Sequence, residues 1–133
     1  MSSTAAANFG LGPIGQIAVP VRDLDRAITF YRDTLGMRFL FQAPPGLAFF
    51  DCNGIRLLLD APAGNGEFQN HSSVIYFNVP DIQLAFDTLS SRGVSFEGRP
   101  HLIAKLPDRE VWMAFFRDPD QNLHALMSEL RTK

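Results

Sequence analysis

The chain repeats itself, and the repeat constrains the fold more than any other feature. VRDLDRAITFY at residues 21–31 aligns with VPDIQLAFDTL at 79–89 at a constant offset of 58. Asp23 then falls on Asp81, Leu24 on Ile82, Ala27 on Ala85 and Ile28 on Phe86. Each stretch has apolar residues at helical spacing, an Asp placed as an N-cap, and a glycine (Gly36, Gly93) at the expected stop. IGQIAVPV and SSVIYFNV precede the helices, MRFLFQ and VSFEG follow them, and all four read as strands. A second echo sets LAFFDCNGIRLLLD against MAFFRDPDQNLHALMSE, two hairpins turning through Asn53-Gly54 and Asp118-Pro119-Asp120. Ala48-Phe49-Phe50 meets Ala114-Phe115-Phe116 at offset 66, and Leu58 meets Ala125 at offset 67. The order is strand–helix–strand–strand–strand, twice. It predicts an α+β fold of two βαβββ modules at residues 13–62 and 72–131, with a loose tail at 1–12 and a Gly/Asn-rich linker at 63–71.

With 133 residues, the chain has room for one domain or two half-size modules sharing a core. Its net charge of −2 and lack of a basic cluster argue against nucleic-acid binding. No apolar run approaches the roughly 20 residues that span a bilayer, and the opening MSSTAAANFGLGP has neither part of a secretory signal. A single cysteine, Cys52 beside the Asn53-Gly54 turn, excludes an internal disulfide framework and suits a reducing cytoplasm. Twelve Phe imply a bulky core or an aromatic-lined cavity.

A duplicated βαβββ module with VRDLDRAITFYRDTLGMRF after its first strand and FFRDPDQNLHAL before its last resembles the vicinal-oxygen-chelate superfamily. That group holds glyoxalases, bleomycin- and fosfomycin-resistance proteins, methylmalonyl-CoA epimerase and extradiol dioxygenases. The resemblance implies a curved, half-open mixed β-barrel, helices on its convex side, a site on its concave side, and commonly a homodimer. It also implies a divalent metal held by His and Glu on four strands. Residue by residue, those positions fall on Gln16, Leu58, Val74 and Ala125. The repeat pairs them independently: Gln16 with Val74 at offset 58, Leu58 with Ala125 at offset 67. An amide and three aliphatic side chains make a very weak metal site, so the expected cofactor is none.

The three histidines, His71, His101 and His124, are the substitutes on offer. Strand parity points His124 away from Ala125, His71 has the wrong parity relative to Val74, and His101 lies in a part-strand, part-loop segment. The bland reading makes all three surface or core residues; the alternative is a relocated metal site.

Alternation from the four markers gives the expected ligand-binding face: Gln16, Arg56, Leu58, Val74, Tyr76, Asn78, Ala125 and Met127, with Trp112 added from the strand before the last. This apolar floor suits a small organic ligand with one anionic or hydrogen-bonding end, and Arg56 is its natural partner. It is equally what a side-chain-filled interior would look like. No catalytic residue is assigned, since that face holds no nucleophile–base pair. The first functional reading is a metal-free, cytoplasmic small-molecule binding protein of sequestering or resistance type. The second is a glyoxalase-like lyase, isomerase or dioxygenase, metal-dependent through a relocated site or metal-independent.

Overall fold

The computed structural model of the chain describes residues 9–62, 68 and 73–132. His71 and most of the 63–71 linker lie outside them. The first module runs β1 (Gln16–Pro20), α1 (Leu24–Thr29, continued as one π-helical stretch Phe30–Thr34), β2 (Arg38–Ala43), β3 (Leu47–Cys52) and β4 (Ile55–Asp60). The second runs β5 (Ile75–Asn78), α2 (Ile82–Ser91), β6 (Ser95–Phe96), β7 (His101–Lys105), β8 (Arg109–Arg117) and β9 (Leu123–Arg131). Each module forms one mixed sheet, ordered β1-β4-β3-β2 and β5-β9-β8-β6, with β7 also paired to β8. The α+β duplication predicted by the repeat is therefore the architecture of the molecule. Its one elaboration is that the counterpart of β2 is split into β6 and β7, which pair with successive parts of β8.

Local chemistry explains the element ends. Asp23 accepts from Arg26 N at 3.1 Å and Asp81 from Leu84 N at 3.0 Å, so both helices begin on the side-chain caps that the sequence supplies. Gly36 (φ +77°) and Gly93 (φ +89°) end the helices in the left-handed region, where a Cβ is strained. Asn53 (φ +50°) and Gly54 (φ +93°) make the two-residue turn between β3 and β4. Leu35 N bonds to Phe30 O at 2.9 Å and Met37 N to Tyr31 O at 2.9 Å, wider than α-helical spacing. That widened turn carries Tyr31, which is fully buried.

Each sheet buries the face under its helix. Val19, Val21, Ala27, Ile28, Tyr31, Ala48, Phe50, Leu57 and Leu59 form the first core; Ile82, Leu89, Val94, Ala114, Phe116 and Leu126 form the second. Phe30 and Leu35 pack against both, which ties the modules together. No described helix is long and apolar enough to cross a membrane.

Candidate functional site

Register decides which side chains share the helix-free faces. Gln16 pairs with Arg56 and Ala18 with Leu58 in parallel, and Leu58 faces Phe49 across the β3–β4 hairpin. In the second sheet Tyr76 pairs with Ala125 and Asn78 with Met127, while Phe115 pairs with Ala125 and Met113 with Met127. Directly opposite residues project to the same face. Gln16, Arg56, Leu58, Tyr76, Ala125 and Met127 thus lie on the faces away from the helices. Val74 stands one residue before β5, and Asn78 closes that strand.

Trp112 does not belong to this set. It pairs with Ser128, packs against the second core and donates from Nε1 to Glu110 at 3.0 Å. Ala114 and Phe116 are buried beneath α2 with it. The β8 residues that share the face of Ala125 and Met127 beside them are Phe115 and Met113 instead. The reason is the turn at 118–122, whose length fixes the parity of β8 relative to Ala125; a miscount of one residue exchanges the two faces.

The resulting surface is aromatic. Phe41 stacks on Phe49 at 4.7 Å, and the Arg56 guanidinium lies 5.9 Å from the Phe49 centroid. In the second sheet Tyr76 meets Phe115 edge-on at 6.2 Å, and His101 stacks on Phe115 at 6.3 Å. His101 pairs with Met113, so its ring belongs to this face, which sequence reasoning had left undecided. Its Nδ1 lies 3.1 Å from Arg99 O; a carbonyl only accepts, so Nδ1 donates to it, and Nε2 is the acceptor of the neutral ring.

Ala125 acquires a reason here. It is fully buried between its strand neighbours Tyr76 and Phe115, whose rings meet beside it. An alanine leaves room for that contact; a carboxylate would separate the rings. Ala125→Glu is expected to cost about 1–3 kcal/mol, the range for burying a poorly satisfied polar group, moderated because Tyr76 is itself 46% exposed and can swing aside. Urea unfolding with and without the substitution measures it, and an unchanged midpoint contradicts the packing role.

The four marker positions do not fit a metal. Leu58, Val74 and Ala125 have no donor atom and Gln16 offers one amide oxygen. Among the described residues no group of three His, Cys, Asp or Glu side chains is placed to hold an ion. A relocated site joining His101 to His124 is ruled out by geometry, because His124 pairs with Phe116 on the helix side and His101 lies on the opposite face.

His124 instead belongs to a buried polar cluster. Asp118 accepts from the backbone N–H groups of Asp120 (2.9 Å) and Asn122 (2.8 Å), from Asn122 Nδ2 (2.8 Å) and from the Tyr31 hydroxyl (2.7 Å). Tyr31 has one proton, given to Asp118, so His124 Nε2 at 2.7 Å donates to the Tyr31 oxygen. His124 Nδ1 is left without a hydrogen-bond partner among the described residues. Burial pulls the His124 pKa down to about 4, with Asp118 opposing. Burial, and then Asp118, push the Tyr31 hydroxyl well above its ordinary value. Asn122 Nδ2 also donates to Pro20 O at 2.8 Å, and Arg26 donates to Asp120 at 3.0 Å. These bonds join the DPDQN turn of one module to α1 and β1 of the other. The turn read from sequence as the entry to a metal-bearing strand is thus also an inter-module fastening. Tyr31 and Asp118 were not singled out by sequence reasoning, since they stand 87 positions apart.

Residues 13–126 match the model of the Glyoxalase/Bleomycin resistance protein/Dioxygenase superfamily. The chain is 30% identical to the uncharacterized protein YraH of Bacillus subtilis, over 81% of this chain and 91% of that one. Among solved structures, a superfamily member from Sphaerobacter thermophilus superposes with a TM-score of 0.71 at 25% identity, covering 90% of this chain and 98% of the other. A lactoylglutathione lyase from Agrobacterium tumefaciens superposes at 0.67 with 24% identity, covering 90% and 95%, a likeness of fold.

Proposed function

Because the chain belongs to the glyoxalase/bleomycin resistance protein/dioxygenase superfamily, we propose that it uses the helix-free faces of its sheets to hold a small organic molecule without a metal, as a sequestering or resistance-type protein does. The observation carrying this reading is the lining. Where the resemblance implies ligating side chains stand Gln16, Leu58, Val74 and Ala125, set among Phe49, Tyr76 and Phe115, with the Arg56 guanidinium beside Phe49 and Asp51 and Arg38 across from it on the same face. Apolar and aromatic walls with few polar groups suit a compact organic body, and a guanidinium selects an anionic end. The proposed assembly is a homodimer in the cytoplasm; exposure of Phe9 (75%), Leu11 (91%) and Ile14 (64%) favours association with a second copy.

Calorimetric titration with 1-naphthoate and with its uncharged analogue 1-naphthalenemethanol tests this. Arg56→Ala is expected to weaken naphthoate about tenfold or more, the worth of a charge-assisted hydrogen bond, and to leave the alcohol unchanged. Equal binding of naphthoate by parent and variant, or one tightly held metal ion per chain after tag-free purification, overturns the reading.

A metal-independent enzyme is the second reading, favoured by His101. Its exposed ring stacks beside Phe115 with Nδ1 turned to Arg99 O, which leaves Nε2 as the atom on this face that can take a proton from a carbon next to a carbonyl. Turnover of a thiol adduct of a 2-oxoaldehyde, lost in His101→Asn while naphthoate binding persists, establishes that reading in place of simple sequestration.

A further inference from the structure

A cleft of about 420 Å³ lies behind the sheets, between α2 and the segment that follows α1. One wall is a single stripe of α2: Asp81, Leu84, Ala85, Thr88, Leu89 and Arg92 follow one another at helical spacing. Leu35 and Met37 of the first module form the opposite wall, and Phe77, Phe116 and Leu126 the floor. The stripe borders the one that α2 packs onto its sheet and shares Ala85 and Leu89 with it. Leu84, a large apolar residue on it, is 63% exposed, while Ala85 and Thr88 leave the middle of the groove open.

The ends of the cleft differ in charge. Arg92 stands at the C-terminal end of α2, its Nη1 donating to Thr34 O of the first module at 2.9 Å. That bond fixes the guanidinium across the mouth, with further N–H groups unspent and no ion pair of Arg92 among the described residues. At the far end Asp81 holds Leu84 N as the helix cap, and its carboxylate repels a second anion. Between Asp81 and Arg92 the helix advances about 16 Å, at a rise of about 1.5 Å per residue. The partly negative helix end near Arg92 opposes an anion less than a fixed guanidinium attracts one.

We infer that this cleft is a second ligand site, for an elongated carboxylate with an unbranched apolar tail, its head at Arg92 and its tail along Leu84 and Leu35 toward Val79. The walls come from both modules, so an occupant bridges them. The site is separate from the helix-free faces and does not depend on what they hold.

Decanoate below its micelle-forming concentration is the probe, with 1-decanol and decyltrimethylammonium as comparisons, followed through the methyl resonances of Leu35, Leu84 and Met37. Saturable shifts with decanoate are expected. Arg92→Gln should weaken decanoate about tenfold and leave decanol within about twofold, since only the charged hydrogen bonds are lost. Leu84→Asp, at an exposed position, and Thr88→Trp, which fills the groove, should each abolish both. Arg56→Ala should change none of these values, so a failure here and a failure of the proposed function are separable. No saturable shift in the parent, decanoate binding indifferent to Arg92 and Leu84, or preference for the cationic amphiphile each overturns the site. So does conversion of a ligand-free dimer to monomer by Leu84→Asp, which would make the cleft a seat for a second copy.

Discussion

Asp118→Ala is expected to remove about 3–5 kcal/mol of folding stability, the loss typical of taking one partner from a buried, charged hydrogen-bond cluster. Asp118 is 2% exposed, and its two oxygens accept from Tyr31, Asp120 N and twice from Asn122. Alanine takes this acceptor from all four donors, in a turn that also fixes the register of β9. Asn122 would still reach Pro20 O, but from a side chain no longer held at its other end. Against a total of about 5–15 kcal/mol for a domain, such a loss brings the chain near its unfolding threshold at ambient temperature. Asp118→Asn separates charge from shape. Its amide oxygen can still take the two backbone donors, but its NH₂ would confront the Tyr31 hydroxyl and Asn122 Nδ2, for an expected loss of about 1–3 kcal/mol. Urea unfolding followed through Trp112, the single tryptophan, gives both values. An Asp118→Ala variant within about 1 kcal/mol of the parent would mean that the turn is held by its backbone alone.

The duplication was legible because a helix or hairpin leaves a periodic imprint, and two imprints at nearly one offset are hard to produce otherwise. Asp23 and Asp81 as caps, Gly36 and Gly93 as stops, and Asn53-Gly54 as a turn are local chemistry, readable where it stands. Parity was less legible. From Leu58, the two-residue turn at Asn53-Gly54 carries the count safely back to Phe49, but the longer DPDQN turn does not carry it from Ala125 to β8. The repeat held the missing information: Phe115 is the counterpart of Phe49, and Phe49 faces Leu58 across its hairpin. Used that way, it places Phe115, and not Trp112, beside Ala125. The Tyr31–Asp118–His124 cluster was not legible at all. It joins residues 87 and 93 positions apart in sequence, and nothing in either segment announces the other. Asp118 presented itself as a turn residue, which it is, and only the packing of α1 against the second sheet makes it a hub. Parity did turn His124 from Ala125 correctly, yet what lies on that other side is a tertiary fact.

The same cluster makes stability depend on pH through one histidine. In the unfolded chain His124 titrates near its ordinary value of about 6.5; in the folded chain burial holds it near 4. As pH falls, the unfolded state takes up the proton first, so protonation favours unfolding. His124 therefore contributes no pH dependence above about 6.5, destabilises progressively between about 6.5 and 4, and adds nothing further below. The full span is worth about 3 kcal/mol, of which about 2 kcal/mol is lost between pH 7 and 4.5. The structural cause is specific. Nε2 already donates to Tyr31, so an added proton must sit on Nδ1, which faces no acceptor among the described residues while Phe77 and Phe116 flank the ring. Asp118, reached through the Tyr31 hydroxyl, eases that cost without cancelling it. His124→Gln keeps an N–H donor toward Tyr31 and has nothing to titrate. Its stability at pH 7 is expected to be lower than the parent's, but its decline toward pH 4.5 should be shallower by about 2 kcal/mol. Carboxylates elsewhere contribute equally to both curves and drop out of the difference. Parallel declines in parent and variant, measured by urea unfolding at several pH values, would show that the imidazole titrates alike in both states and is not enclosed as described.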